Sequence, residues 1–328
     1  MKNYSLGLAS LIAALSPAGA ASAQVIYSNG SPDSNPALAT SLTSYSGINA
    51  PAASTWSETQ GTALDVNMLT GFSCYAEGST VGTADSFRVA DGFEVTSPFG
   101  WHLDSVTFYI YQPGYTGTAP PVTSANMRVW DGPPSAVGAT ILFGDTTTSR
   151  LLSTTRTSTY RIFNSRPLPT AMAPNSSRRV WAMTINLDGN LYPPGTYWFD
   201  IQVISANPDA AIFCVPASSP GSRGVSGADA LALVSTGFMP AWTPLIDGGK
   251  PALSLDAPQD LAFIINGDVV QTGCPADFNL DGGVDGSDVE DFFISWSGGE
   301  VRADVNADGG IDGSDVGVFF IAWEQGGC

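Results

Sequence analysis

The sequence predicts a mainly β protein, a jelly-roll-like β-sandwich, followed by a small α-helical module. Two observations support this prediction. Short runs of alternating apolar and polar residues recur through most of the 328 residues, and Gly, Pro, Asn or Asp separates them, as is typical of strands joined by turns. Residues 274–328 differ in character, because they are strongly acidic and contain a tandem repeat with helical apolar spacing.

The N-terminus has the pattern of an export signal. Lys2 provides a positive charge, Leu6 to Leu15 form a short apolar stretch, and Ala21-Ser22-Ala23 has the small residues of a cleavage site. We expect residues 1–23 to be a signal peptide, so that the mature chain begins at Gln24 and is extracellular or at the cell surface. No segment is long and apolar enough to predict a transmembrane helix.

Residues 24–272 are expected to form the sandwich. Its clearest strand is 101–111, where aliphatic and Phe side chains alternate with Thr and Tyr. The other predicted strands are 127–130, 160–163, 180–187, 196–204 and 260–265. The Asp-Gly pairs at Asp91, Asp131 and Asp188 are interpreted as turns, the last of them ending the strand 180–187. The segments 31–60 and 207–249 are interpreted mainly as loops.

The charge of the chain excludes one class of partner. The formal net charge is −18, and Lys250 is the only lysine after residue 24. A nucleic-acid surface needs clustered Lys and Arg to neutralise phosphates, so no nucleic acid is expected as a partner. The acidity is concentrated in residues 274–328, where twelve acidic residues stand against Arg302.

Those acidic residues follow a regular spacing. The motif D-F-N-L-D-G-G-V-D-G-S-D at 277–288 recurs as D-V-N-A-D-G-G-I-D-G-S-D at 304–315, an offset of 27 residues. Ca²⁺ takes six to eight oxygen ligands, and a twelve-residue loop supplies them from positions 1, 3, 5, 7, 9 and 12, with Gly at the sharp turn of position 6. Gly282 and Gly309 occupy position 6. The sequence therefore predicts two Ca²⁺ ions, held by Asp277, Asn279, Asp281, Gly283, Asp285 and Asp288 and by Asp304, Asn306, Asp308, Gly310, Asp312 and Asp315.

A helix is predicted after each loop. Apolar residues recur there at i, i+3, i+4 and i+7, which makes one stripe per helix. The stripes are Val289, Phe292, Phe293 and Trp296, and Val316, Phe319, Phe320 and Trp323. No helix is expected to lead directly into the second loop, because Gly298-Gly299 interrupts the chain before it. The repeats are therefore loop then helix, unlike an ordinary EF-hand.

With these features, residues 274–328 resemble a type I dockerin, and the ending Gly326-Gly327-Cys328 is similar to that of GC-type dockerin-anchored exported proteins. The resemblance implies that residues 273–328 bind a cohesin-like protein or a cell-surface scaffold. It also implies that loop positions 10 and 11 select that partner, and that the two copies permit two binding orientations. Those positions are Gly286, Ser287, Gly313 and Ser314. Gly-Ser replaces the hydroxyl pair of the cellulosomal pattern.

The four cysteines favour disulfides, because an even count is typical of an exported chain. Three connectivities are possible. We predict Cys74–Cys214 within the sandwich and Cys274–Cys328 around the acidic segment. Zinc is a weak alternative, because there is no Cys-x-x-Cys and His102 is the only histidine.

Three functions compete for the sandwich: a non-catalytic recognition or structural role, carbohydrate binding, and O-glycosyl hydrolysis. A glycosidase needs two placed carboxylates. The body has only Glu58, Glu77 and Glu94 besides aspartates that are mostly interpreted as turn residues, so no catalytic residue is assigned. His102 is interpreted as a half-exposed strand residue.

Carbohydrate binding would use exposed aromatic side chains. Tyr109, Tyr111 and Trp198 are the candidates, because they alternate with presumed core residues. Asp200 and Gln202 share the face of Trp198 and could bond to sugar hydroxyls. The alternative is that both faces of these strands are covered. Polysaccharide thus remains a candidate ligand that the resemblance to dockerin-bearing proteins also suggests.

Overall fold

The computed structural model describes residues 24–29, 38, 41–61, 65–76, 87–97, 100–166, 173–208, 210–218, 221–224, 227–234, 241–251, 253–270, 274–279, 281–306 and 310–325. The predicted signal peptide lies outside these residues. The strands are β1 Gln24–Ser28, β2 Thr55–Ser57, β3 Phe72–Ser73, β4 Phe87–Val95, β5 Trp101–Tyr111, β6 Val122–Trp130, β7 Ile141–Gly144, β8 Leu151–Arg161, β9 Arg179–Tyr192, β10 Gly195–Ser205, β11 Phe213–Cys214, β12 Leu231–Val234, β13 Ala241–Pro244, β14 Ile246–Asp247, β15 Ala257–Pro258 and β16 Phe263–Val269. The described helices are α1 Gly286–Gly298 and α2 Gly313–Glu324, and a 3-10 turn lies at Val301–Ala303.

Two large sheets form most of the body that the structure describes. One has the order β1-β16-β5-β9-β8-β2, with β11 pairing to β5 and to β3, and the other has the order β13-β12-β4-β10-β6-β7. A small separate sheet pairs β14 with β15. All pairings in these sheets are antiparallel except that of β2 with β8. The inner faces meet in one apolar core. There Phe108 of β5 and Phe199 of β10 pack edge to face, with ring centroids 6.1 Å apart. The mainly β prediction is therefore confirmed, with two packed sheets as in a sandwich.

The alternation in β10 determines its two faces. Phe199, Ile201 and Val203 lie in the core between the sheets, as their spacing predicts. Trp198 and Asp200 lie on the outer face, opposite Trp130 and Arg128 of β6. Strand periodicity was thus sufficient to assign the inner face of this strand.

Two local predictions were wrong. Asp91-Gly92 lies within β4, not in a turn. β9 does not end at Asp188 but continues to Tyr192, because Asp188 (φ 60°) and Gly189 (φ 68°) form an irregularity opposite β5. The segment 207–249 contains the short strands β11 to β14, which adjacent strands stabilise by pairing rather than by their own periodicity.

The tail follows the predicted order of loop then helix. Gly299, in the left-handed region at φ 68°, caps α1 and ends it. A single 3-10 turn, Val301–Ala303, precedes the second loop. Neither described helix has the length and apolar character that crossing a membrane requires.

Candidate metal centre and an acidic cluster in the sandwich

The first loop of the tail closes through its own side chains. Gly282, at φ 87°, makes the sharp turn, and its N–H donates to Oδ2 of Asp277 at 3.1 Å. Asn279 Oδ1 accepts the N–H of Asp281 at 2.9 Å, and Asp281 Oδ1 accepts the N–H of Gly283 at 2.8 Å. These bonds turn the side chains of positions 1, 3 and 5 toward the inside of the loop.

Position 12 of the loop is a buried carboxylate. Asp288 is fully buried, and its two oxygens accept the N–H groups of Asn279 at 3.0 Å and Asp285 at 2.8 Å. Asp285 in turn caps α1, because its carboxylate accepts the N–H of Ser287 at 2.8 Å. The bonds from Ser287 lower the pKa of Asp285. The helix therefore holds position 12 against the loop.

In the second loop, the bonds of positions 9 and 12 recur 27 residues later. Asp315 is fully buried and accepts the N–H groups of Asn306 at 3.3 Å and Asp312 at 2.8 Å. Asp312 caps α2 by accepting the N–H of Ser314 at 2.8 Å, which lowers the pKa of Asp312. Asp304 is buried, whereas the predicted ligand Asp308 lies outside the described residues.

The two repeats are connected across a shared core. Phe292 of α1 stacks on Phe319 of α2, with ring centroids 4.3 Å apart and an interplanar angle of 8°. Trp296 donates its indole N–H to the carbonyl of Asp312 at 3.0 Å, and Trp323 donates to the carbonyl of Asp285 at 3.4 Å. Each helix thus holds the loop of the other repeat. The apolar stripes serve this packing, although Phe293 is 39% exposed.

One atom of the first loop lacks a partner. Oδ1 of Asp277 is buried and accepts no hydrogen bond. An unsatisfied buried carboxylate oxygen is costly, and a cation would satisfy it. All six predicted ligands of this loop supply oxygen atoms, so the donor set fits a hard cation such as Ca²⁺.

The residues predicted to select a partner are at the surface. Gly286, Ser287, Gly313 and Ser314 are exposed at the starts of the two helices. The hydroxyls of both serines donate to the capping aspartates at 2.7 Å and accept from the Asn at loop position 3. Their hydroxyl groups are therefore committed to the loops.

A second group of carboxylates, which sequence reasoning missed, lies in the sandwich. Asp91, Asp229 and Asp260 each place one oxygen within 4.8 Å of the others, and among the described acidic, His and Cys residues they are the one such group of three. They come from distant parts of the chain, so no local spacing could reveal them. Oδ2 of Asp91 accepts the N–H of Leu261 at 2.6 Å and the amide of Asn29 at 2.8 Å.

Burial controls the protonation of this cluster. It raises the pKa of Asp260 to about 6, and it raises the pKa of fully buried Asp91 well above its usual value. Burial also raises the pKa of Asp229, while its hydrogen bond with Asp91 acts in the opposite direction. The three carboxyl groups therefore share protons at mildly acidic pH.

A cavity of about 360 Å³ lies beside this cluster. Trp198 and Asp229 line it, together with Leu231 of β12 and three prolines, which are Pro133, Pro244 and Pro258.

A buried ion pair lies on the same outer face of the sheet. Asp200 is fully buried between two arginines, with its Oδ1 2.5 Å from Nε of Arg88 and its Oδ2 bonded to Arg128. A charge pair buried this deeply stabilises only while it is complete.

The structure corrects the predicted sugar-stacking surface. Tyr109, Tyr111 and Trp198 are 5%, 0% and 3% exposed, so none offers a free ring face. A second apolar cluster that includes Leu38 and Val215 covers the two tyrosines. Both faces of these strands are covered, as the alternative interpretation held.

The cysteines give one correction. Cys74 and Cys214 are buried free thiols, so the predicted disulfide between them is not formed. The ladder pairs Cys214 with Phe72, which makes the two cysteines diagonal rather than direct neighbours. Burial, and then the hydrogen bond with Cys74, raise the pKa of Cys214. Cys274 is disulfide-bonded, while its predicted partner Cys328 lies outside the described residues.

The remaining predicted residues are placed as follows. His102 is exposed on β5, and its Nδ1 lies 3.1 Å from the carbonyl oxygen of Gly189. Glu58 is fully buried and accepts hydrogen bonds from Tyr45 and Gln60. Glu94 is exposed, and Glu77 lies outside the described residues.

No family model matches the chain, and neither a curated protein nor a solved structure shows significant similarity to it.

Proposed function

We propose that the protein is an exported, non-catalytic, jelly-roll-like β-sandwich that is attached to a partner by a calcium-dependent, dockerin-like tail. The observation that supports this proposal best is the pair of loops, whose capping and position-12 bonds repeat at an offset of 27 residues. Coincidence does not place the same oxygen donors at the same positions twice.

Calcium has a physical role in this proposal. Residues 274–328 have a net charge of −11, and each loop concentrates carboxylates around one centre. Two Ca²⁺ ions offset that repulsion and take the oxygen of Asp277 as a ligand. Since the bonds of Asp288 and Asp315 connect loop to helix, we expect calcium to stabilise both helices.

The partner in this proposal is a cohesin-like protein or a surface scaffold. The exposed Gly-Ser pairs begin two helices that are related as copies, so the same partner can bind either one. Phe293, Ile294 of α1 and Ile321 of α2 add exposed apolar area of the kind that protein partners cover. Association with a polysaccharide-degrading assembly follows from the resemblance to dockerins.

The alternative, an O-glycosyl hydrolase, has less support. Its two carboxyl groups would be about 5 to 9.5 Å apart, so that the sugar or a water fits between them. One oxygen of each of Asp91, Asp229 and Asp260 lies within 4.8 Å of the others, and Asp91 is fully buried. With its nearest oxygens below that range and one member inaccessible, this cluster fits that geometry poorly.

The test is calorimetric titration of the full chain with Ca²⁺. We expect two ions to bind the wild type and none to bind Asp277→Ala combined with Asp304→Ala. Glu290→Ala combined with Glu324→Ala is the matched control, because both residues are exposed acids outside the loops. Unchanged binding by the loop variant would refute the ligand assignment.

Docking itself needs a second measurement. The wild-type chain is used to capture proteins from the native secretome and cell envelope, with calcium and with a chelator. A partner captured only with calcium, and not by the loop variant, supports docking. Capture of the same partner in the presence of chelator and by the loop variant contradicts docking through the calcium loops.

A further inference from the structure

The cavity beside the acidic cluster has a mixed chemical character. Most of its wall is apolar, formed by Leu231, Ala230 and three prolines. Its volume of about 360 Å³ lies within the range of small-molecule sites, roughly 300–1,000 Å³. Such sites fix their ligand with a few convergent polar groups. In this cavity the polar side chains are those of Trp198, Asp229 and Ser135, and the first two lie next to each other.

The two polar groups converge over a residue without a side chain. Gly92 of β4 is paired with Trp198 of β10. A Cβ atom on Gly92 would lie 3.3 Å from Nε1 of Trp198 and 3.5 Å from Oδ1 of Asp229. A side chain at position 92 would therefore contact both atoms and fill the space next to them.

Trp198 is the more informative of the two residues. Its side chain is almost completely buried, at 3% exposure. Its indole N–H makes no hydrogen bond to any residue that the structure describes. Buried Trp N–H groups usually find an acceptor. The side chain is buried, but its unpaired nitrogen keeps some access beside the cavity, where a ligand can supply this acceptor.

The pair of groups selects the ligand chemistry. An indole N–H can only donate, and an ionised carboxylate can only accept. A hydroxyl group does both at one oxygen. An ammonium group could pair with Asp229, but it has no acceptor for Trp198. We propose that this cavity binds a neutral, hydroxyl-bearing ring, that is, a sugar residue, with one hydroxyl held over Gly92 between Trp198 and Asp229.

The rest of the cavity fits such a ring. The C–H groups of a pyranose pack well against Pro, Leu and Trp side chains, which form most of the wall. Asp91 and Asp260 do not line the cavity, but Oδ1 of Asp260 accepts the N–H of Asp229 at 3.0 Å and so fixes the backbone of that residue. This site is independent of the proposed calcium loops, and it differs from an exposed stacking surface because the ring enters a recess.

The test is saturation-transfer NMR on the full chain with the methyl glycosides of glucose, galactose, mannose and xylose, and with cyclohexylamine as an amine probe. We expect at least one glycoside to bind, with or without a calcium chelator. Trp198→Phe should weaken that binding about threefold to tenfold, the effect of one hydrogen bond. Gly92→Ala should abolish it, because the added methyl group fills the hydroxyl position.

Two further variants keep the test decisive. Asp229→Ala changes an exposed residue, so it is expected to fold and still lose binding. Gly317→Ala is the matched control, since a Cβ there meets open space in the tail, and it should bind like the wild type. The proposal is wrong if no glycoside binds, if binding survives Gly92→Ala and Asp229→Ala, or if only cyclohexylamine binds. Loss of binding on calcium removal would also overturn it, whereas calcium-dependent docking would be unaffected by any of these results.

Discussion

Replacing Phe319 by Ala should uncouple the two repeats of the tail. Phe319 is fully buried on α2 and stacks on Phe292 of α1 at 4.3 Å. It also meets the edge of Phe278, which lies within the first loop, at 6.3 Å. One ring thus joins both helices to a predicted calcium loop, and its removal leaves a cavity in the centre of the module.

The expected cost is large relative to the stability of the module. A buried Phe→Ala substitution costs about 3–5 kcal/mol. A module of about 55 residues has a free energy of unfolding of about 3–8 kcal/mol, at roughly 0.05–0.15 kcal/mol per residue. The substitution therefore removes most of that stability. If the module folds only when calcium binds, the free energy of calcium binding must offset this loss of stability.

The assay is a calcium titration of the full chain, followed by circular dichroism at 222 nm. The described α-helices both lie in the tail, so this signal reports the module. Because about 1.4 kcal/mol is a factor of ten and two ions share the cost, the calcium midpoint should rise by about one to two orders of magnitude. Ile321→Ala, on the same helix but 60% exposed, is the control and should leave the midpoint almost unchanged. Equal midpoints for the two variants would refute the shared core.

Three further predictions concern the sandwich. Asp200→Asn should lower the free energy of unfolding by about 3–5 kcal/mol in urea titrations, because a buried arginine loses its counter-charge. Asp188→Asn, which affects an exposed ion pair, should lower it by less than about 1 kcal/mol. The free energy of unfolding of the sandwich should fall as pH rises from about 4 to 6, because the folded state keeps the proton of Asp260 up to a pKa of about 6. Asp260→Asn should reduce this fall by at most about 3 kcal/mol. A thiol reagent should label neither Cys74 nor Cys214 in the native protein, and both after unfolding without reductant.

Each of these predictions has a contrary outcome. If Asp200→Asn and Asp188→Asn lower the free energy of unfolding equally, the buried ion pair does not stabilise the protein more than the exposed one. A wild-type stability that rises between pH 4 and 6, with the Asn variant unchanged, would contradict the raised pKa of Asp260. An unfolded chain without reactive thiols would show that Cys74 and Cys214 form the disulfide after all.

The enzymatic alternative for the sandwich depends on where its carboxylates lie. Glu58, which counted as a candidate by composition, is a buried acceptor for Tyr45 and Gln60. The convergent carboxylates are aspartates, and Asp91 was interpreted as a turn residue because Asp-Gly pairs favour turns. The pairing of β4 with β10 overrides this local preference and places Asp91 in a strand.

The sequence by itself determined what depends on short separations along the chain. The helices follow from apolar spacing within each repeat, and the inner face of β10 follows from its period of two. The donor positions of the predicted calcium loops are likewise all within twelve residues. The fixed period of a helix or strand places such residues on one face, and a short loop places them around one centre, so no knowledge of the fold is needed.

Only the tertiary structure decided what depends on distant residues. Burial of Tyr109 and Tyr111 requires a covering layer, and alternation within one strand cannot show whether that layer exists. The acidic cluster joins positions 91, 229 and 260, and Gly92 leaves space between Trp198 and Asp229 only because β4 pairs with β10 in that register. Register is a property of paired strands, because a slip of one residue would turn these side chains to the opposite face.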